Sequence, residues 1–229
     1  MCGITGYIGQ KEAAKIILEG LHALEYRGYD SAGIAVYKDG GIEVTKAVGK
    51  VAALEAKLAA VGNFAGAQVG IGHTRWATHG APSDANSHPH GNERVQIVHN
   101  GIIENYAALR KMLLEKGYTF SSETDTEVAA KLIDLRYREC GDHLSALSAV
   151  MREMVGSYAI AVLFADTPDR LYAIKKDNPL IVGVGEGENF IASDIAAVLR
   201  HTKNYYPLGD LQMAVVTAHS IEIMDIDKR

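Results

Sequence analysis

Apolar and polar positions follow two rhythms along this chain, one of period two or unbroken, the other of period near 3.6. Residues 2–8 form a short apolar run that reads as a buried strand. Gly9 and Gln10 turn the chain. Over 12–24, Ala13, Ile17, Leu21 and Leu24 recur at helical spacing. Residues 33–37 and 42–47 read as strands joined by Lys38-Asp39-Gly40-Gly41, a hairpin signal. A helix is predicted over 51–60, then strands over 69–72 and 95–99. Three helices follow, over 106–116, 126–140 and 143–155, and Gly117, Gly141 and Gly156 stand just past them as stop signals. In the second of these, Val128, Leu132 and Leu135 share one face. The last third predicts strands over 157–165, 170–175, 180–184, 190–192, 213–217 and 221–224. Strands joined by short hairpins, with helices grouped elsewhere, imply an α+β fold of antiparallel sheets covered by helices.

Composition narrows the class. A chain of 229 residues fits a single domain, and no shift in composition marks a second one. Hydrophobic residues at 48% and charged residues at 22% describe a globular, soluble protein. The net charge of −5, without a Lys/Arg-rich block, argues against nucleic acid as a partner. Two cysteines, Cys2 and Cys140, make no disulfide framework and point to a reducing compartment, the cytoplasm. The start lacks the basic and apolar regions of a signal peptide. The longest apolar run, 158–165, is far short of the ~20 residues that cross a bilayer, so no membrane association is expected.

Candidate chemistry begins at Cys2. Small second residues favour removal of the initiator methionine, which would leave a thiol and a free α-amine on one residue. With reference values near 8.5 for the thiol and ~7.7–8.0 for the amine, the amine can take the thiol proton near neutrality. Taken alone, a cysteine there is also an ordinary small buried residue. Asn100-Gly101, after an apolar strand, offers an amide side chain and a backbone N–H that can face one developing oxyanion; it is equally a turn signal. The segment from Gly72 to Gly80 is bounded by glycines, as a mobile lid would be. Within it Arg75 offers a bidentate fork for a carboxylate, and Trp76, the one tryptophan, offers a cover. Asp125 stands in an acidic, capping-rich helix start and is a candidate ligand for an ammonium group. Histidines crowd between His73 and His99, and His88 and His90 would share a strand face. That crowding suits a zinc hydrolase, but neither a His-Glu-x-x-His helix nor a Cys-x-x-Cys pair accompanies it, so no metal or other cofactor is expected. The Gly-x-Gly near 183–187 precedes a strand rather than a helix and reads as a hairpin turn. Cys140 reads as a buried small residue. A binding module that keeps the fold without catalysis would lack Cys2, Asn100 or Asp125, and all are present.

Met1-Cys2-Gly3-Ile4, Tyr26-Arg27-Gly28-Tyr29-Asp30-Ser31-Ala32-Gly33, the Gly72–Gly80 segment, His88-Pro89-His90, His99-Asn100-Gly101 and Glu123-Thr124-Asp125-Thr126-Glu127 resemble, in order and spacing, the class II glutamine amidotransferases. These are N-terminal-nucleophile hydrolases. The resemblance spans the chain from Cys2 to about Ser193. It implies a four-layer αββα sandwich, with two antiparallel sheets between helices. It implies that Cys2 attacks the side-chain amide of L-glutamine with its own α-amine as base, while Asn100 and the Gly101 N–H hold the oxyanion. Arg75, with Thr78 and His79, would bind the substrate carboxylate. Asp125 and the Gly101 carbonyl would bind its ammonium. Trp76 would sit on the lid, and Arg27 would shape the pocket floor. The wording is nearest to members whose second half is a sugar-phosphate isomerase with a fructose 6-phosphate site. That half is the implied partner and is absent from 1–229, read as one glutaminase domain. Members acting on phosphoribosylpyrophosphate are the alternative, and a second copy of the chain is a partner left open. Two departures stand out: the family usually has Gly-Ser-Pro-Leu at Asp177-Asn178-Pro179-Leu180, and Ala where this chain has Ser87.

Overall fold

The computed structural model describes residues 2–62, 64–76 and 81–228. In chain order the elements are β1 (Gly3–Ile8), α1 (Ala13–Leu24), β2 (Ser31–Lys38), β3 (Gly41–Val48), α2 (Val51–Val61), β4 (Val69–Arg75), β5 (His90–Gly91), β6 (Val95–Ile103), α3 (Tyr106–Glu115), α4 (Asp125–Cys140), α5 (His143–Glu153), β7 (Gly156–Phe164), β8 (Leu171–Lys176), β9 (Ile181–Val184), β10 (Asn189–Ala192), β11 (Asn204–Pro207), β12 (Gln212–Val216) and β13 (Ile221–Asp225). They build two antiparallel sheets. The first runs β11-β9-β10-β1-β4-β2-β3 and the second β13-β12-β8-β7-β6-β5. The sheets stack face to face, α1 and α2 cover the first, and α3, α4 and α5 cover the second. This is the α+β, four-layer αββα arrangement.

Each strand in the middle of the sandwich is buried on both faces, which is why it reads as a continuous apolar run. In β7, Ile160, Val162 and Phe164 pack toward the helices, while the smaller Ala159 and Ala161, with Leu163, face the other sheet. β1 divides likewise: Tyr7 lies among α1 and α2 residues, whereas Ile4 and Ile8 lie between the sheets. Small residues on the inner faces let the sheets approach closely, and the larger ones fill the helix-covered layers.

Among the helices, α4 bears most directly on the candidate site. Thr124 caps it, its hydroxyl accepting the Glu127 N–H at 3.2 Å, a contribution of about 1 kcal/mol. Gly141 ends it in the left-handed conformation at φ +67°. Val128, Leu132 and Leu135 are buried, as their spacing predicts.

Three readings need correction. Gly156 is not a helix stop: α5 ends at Glu153, and Gly156 opens β7. Cys140 is exposed rather than buried. β11, whose four residues are all exposed, and the two-residue β5 were not foreseen. The departures from the family wording are accommodated locally. Asp177 sits at φ +64°, where glycine is the easiest residue and aspartate among the tolerated ones. Its N–H donates to Asp210 Oδ1 at 2.9 Å. The Ser87 hydroxyl donates to the Ser83 carbonyl at 2.7 Å.

Candidate active site

Four chain segments converge at one end of the sandwich. β1 pairs antiparallel with β4, with Gly3 opposite Thr74, so Cys2 comes to lie beside Arg75 and Trp76. The opposing sheet contributes the C-terminal half of β6. The N-terminus of α4 closes the third side.

The Cys2 thiol is partly buried. Its sulfur accepts the Trp76 N–H at 3.2 Å and lies 3.6 Å from the Trp76 carbonyl. Burial pushes the thiol above its ordinary value, against the opposing pull of the Trp76 backbone bond. The resting group is therefore a protonated thiol, and attack on a substrate requires a base to remove its proton.

Asn100 faces this residue across the gap between sheets. Its Nδ2 donates to the Cys2 carbonyl at 3.0 Å, and its Oδ1 lies 3.0 Å from His73 Nε2. Gly101 follows at φ +125°, and a Cβ there would stand 2.0 Å from the Ser157 carbonyl oxygen and 2.6 Å from Asn178 Nδ2. Only glycine fits that position. Asp125, the first residue of α4, is 6% exposed. Its Oδ2 accepts the Ile103 N–H at 2.8 Å, and the positive end of the helix dipole favours its charge. Arg75 is 4% exposed at the end of β4. Trp76 is 49% exposed and meets Tyr29 edge-on, with centroids 5.4 Å apart.

Cys2, Arg75, Trp76, Gly101 and Asp125 line one small pocket together with His88, His99, Thr124 and Thr126, with about 30 Å³ of free space. Its walls carry a thiol, a guanidinium and a carboxylate. A wider groove of about 540 Å³ between α1 and α2, floored by Leu18, Leu58 and Phe64, has carboxylates in Glu12, Glu19 and Glu55 but neither a thiol nor a guanidinium. Arg27 is not among the residues lining this pocket; its Nη1 donates to the Ser193 carbonyl at 3.2 Å and to Asp194 Oδ2 at 3.1 Å. Thr78 and His79 lie outside the described residues.

Four buried histidines back the pocket, and apart from the zinc alternative they had no role in the sequence reading. The His99 backbone fixes the tautomer of His88. His88 Nδ1 accepts the His99 backbone N–H at 3.3 Å, so its proton is on Nε2, which donates to Thr126 Oγ1 at 3.3 Å. The Thr126 hydroxyl also lies 2.9 Å from His99 Nδ1. His90 Nε2 meets Thr124 Oγ1 at 3.1 Å. His73 stacks on His88 with centroids 4.0 Å apart. Burial lowers all four: His73 and His90 to about 3, His88 well below its ordinary value, and His99 in the same direction. All are neutral at physiological pH. Their ring nitrogens serve hydrogen bonds, and no group of three His, Cys, Asp or Glu side chains among the described residues is arranged around a metal-sized point. The visible signal was four histidines within 27 positions; what concealed them was that each partner lies far away in sequence.

Comparison with known proteins yields a consistent set. A family model described as a glutamine amidotransferase domain matches residues 73–200. The chain is 55% identical over 230 positions to a glutamine–fructose-6-phosphate aminotransferase (isomerizing) of Clostridium perfringens, covering 100% of this chain and 37% of that protein. The proteins of that description from Pyrococcus horikoshii and Streptomyces coelicolor are 49% and 46% identical, covering 99% of this chain and 38% and 37% of theirs. The chain thus spans little more than a third of the curated relatives it matches. Among solved structures, the glutamine phosphoribosylpyrophosphate amidotransferase from B. subtilis superposes with a TM-score of 0.82 at 23% identity, over 98% of this chain and 49% of that one. A glutamine aminotransferase class-II domain protein from Silicibacter pomeroyi gives 0.68 at 17% identity, over 98% and 99%. At such identities these two carry the fold.

Proposed function

Because the chain belongs to the glutamine amidotransferase domain family, we propose that it hydrolyses the side-chain amide of L-glutamine through a thioester on Cys2. One observation carries the reading: a thiol, a buried guanidinium and a buried carboxylate line a single small pocket. That is a nucleophile with one anchor for each charged end of an α-amino acid.

The mechanism begins with removal of Met1. The α-amine of Cys2 takes the thiol proton as the sulfur attacks the amide carbon. The C=O π pair moves to oxygen, and the oxyanion is held by Asn100 Nδ2, whose second hydrogen remains available beside its bond to the Cys2 carbonyl, and by the Gly101 N–H. Collapse breaks the C–N bond, and the ammonium form of the base protonates the leaving nitrogen, giving ammonia and the thioester. Water, deprotonated by the same amine, then releases glutamate. Arg75, with Thr78 and His79, holds the α-carboxylate; Asp125 and the Gly101 carbonyl hold the α-ammonium. Trp76 covers the pocket, and Arg27 acts indirectly, by anchoring residues 193–194, whose Ser193 Oγ accepts the Ile4 N–H at 2.9 Å. No cofactor enters any step.

The ammonia serves amination of fructose 6-phosphate in a sugar-phosphate isomerase half that residues 1–229 do not contain. Identities of 46–55% to glutamine–fructose-6-phosphate aminotransferases support this above a phosphoribosylpyrophosphate amidotransferase role, for which the likeness is 23%. We read 1–229 as one glutaminase domain, acting in the cytoplasm and able to pair as a homodimer within the longer protein. No helix among the described residues is long and apolar enough to cross a membrane. The test is glutamate release from L-glutamine by the purified chain, with Cys2→Ala as control. Absence of glutamate from a folded chain with a verified Cys2 terminus overturns the glutaminase reading. Glucosamine 6-phosphate made by this chain alone overturns the division of labour.

A further inference from the structure

We infer that His73 is a positioning residue that fixes Asn100 with its amide nitrogen, and not its oxygen, toward the nucleophile. This rests on the oxyanion role proposed for Asn100.

His73 lies in β4, opposite Ile4 of β1 and Gly33 of β2. It is 1% exposed. Its ring reaches across to the other sheet, where Nε2 lies 3.0 Å from the His99 carbonyl oxygen and 3.0 Å from Asn100 Oδ1. A main-chain carbonyl can only accept, so the proton is on Nε2. The Asn100 atom facing that proton must then be the oxygen. The NH₂ group is left pointing at Cys2, whose carbonyl it meets at 3.0 Å. Rotating the amide by half a turn would set NH₂ against N–H on one side and carbonyl against carbonyl on the other. Two buried hydrogen bonds would be lost and two repulsions gained.

The arrangement is insulated from pH. The unprotonated Nδ1 has no hydrogen-bond partner, as suits a neutral ring stacked on His88. Burial holds the group down to about 3, with Arg75 disfavouring the cation further.

The test is a double-mutant cycle on the glutaminase reaction, with melting temperature confirming the folded state of each variant. Asn100→Ala sets the reference, an expected fall of roughly 10²–10³-fold in kcat. His73→Phe keeps the ring volume and removes the donor. It should lower kcat about 10- to 100-fold with little change in KM, and should lower it no further in the Asn100→Ala background. His73→Gln restores an N–H donor and should recover most of kcat. Full kcat in folded His73→Phe overturns the inference, as does a loss that multiplies with that of Asn100→Ala. If His73→Phe does not fold, His73→Gln decides: a kcat as low as that of Asn100→Ala overturns it. If Asn100→Ala itself retains full kcat, the oxyanion reading fails first, and the failure is distinguishable from that of His73.

Discussion

Lowering the pH from 7.5 to 5.5 should destabilise this domain severely, through histidines rather than carboxylates. His73 and His90 are held to about 3 by burial, and burial lowers His88 and His99 as well. Arg75 adds to the effect at His73, His88 and His90, and Lys46 at His90, while Glu127 at His90 and Asp125 at His99 act the other way. An unfolded histidine titrates near 6.5. Below that value the unfolded chain binds protons that the folded chain refuses, so stability falls with falling pH. The contribution is complete above ~6.5 and is lost progressively toward about 3. At pH 5.5 an unfolded histidine is about 90% protonated, and each refusing ring costs roughly 1–2 kcal/mol. His73 and His90 together give about 3 kcal/mol, to which His88 and His99 add, against total stabilities of about 5–15 kcal/mol. Glu127, lowered to about 2, loses its contribution only below ~4.5, so pH 5.5 isolates the histidines. Urea unfolding followed by circular dichroism at both pH values measures the loss. Proton uptake on unfolding at pH 5.5 counts the groups, with about two protons per chain expected from His73 and His90, on the order of 0.9 each, and more from His88 and His99. A stability change under 1 kcal/mol, or uptake below one proton, would refute the reasoning.

Arg75→Ala and Asp125→Ala should each weaken glutamine binding by roughly 2–5 kcal/mol, tens- to thousands-fold, because each strands one charged end of the substrate; an unchanged KM removes that residue from the site. Arg75→Lys should recover only part of the loss, since lysine lacks the planar fork. A chain that keeps Met1, verified by mass spectrometry and folded, should be nearly inactive with its Cys2 thiol intact, because an amide nitrogen cannot take the proton; full turnover would sink the α-amine as base. Gly101→Ala should abolish turnover and cost on the order of 2 kcal/mol or more in urea unfolding, from a Cβ 2.0 Å from the Ser157 carbonyl at φ +125°; wild-type stability would contradict the close approach.

How far the chain could be read from residues alone depended on what each segment buries. β7 was plain because both its faces are buried and its residues are apolar throughout. β11 was invisible because all four of its residues are exposed and one is proline, so its place is set by pairing with β9. Cys2, Asn100 and Asp125 were legible because the order of short motifs fixes them, whatever their distance in space. The histidine network was not. His73 reaches Asn100 across 27 positions and His88 reaches Thr126 across 38, and no local pattern announces a hydrogen bond between strands of different sheets. Gly156 misled for a related reason: a glycine after a helix also suits a strand that starts at positive φ, and here it does.

The place of β1 in the first sheet also sets a timetable for synthesis. β1 lies between β4 and β10, and β10 ends at Ala192. β1 therefore waits for one of its neighbours until the residues up to 192 have been made. At ~5–20 residues per second that wait is about 10–40 s. Throughout it the edge of β1 that will meet β10 stays unpaired. Closure of the first sheet around β1 is thus a late event, set by topology rather than by distance along the chain.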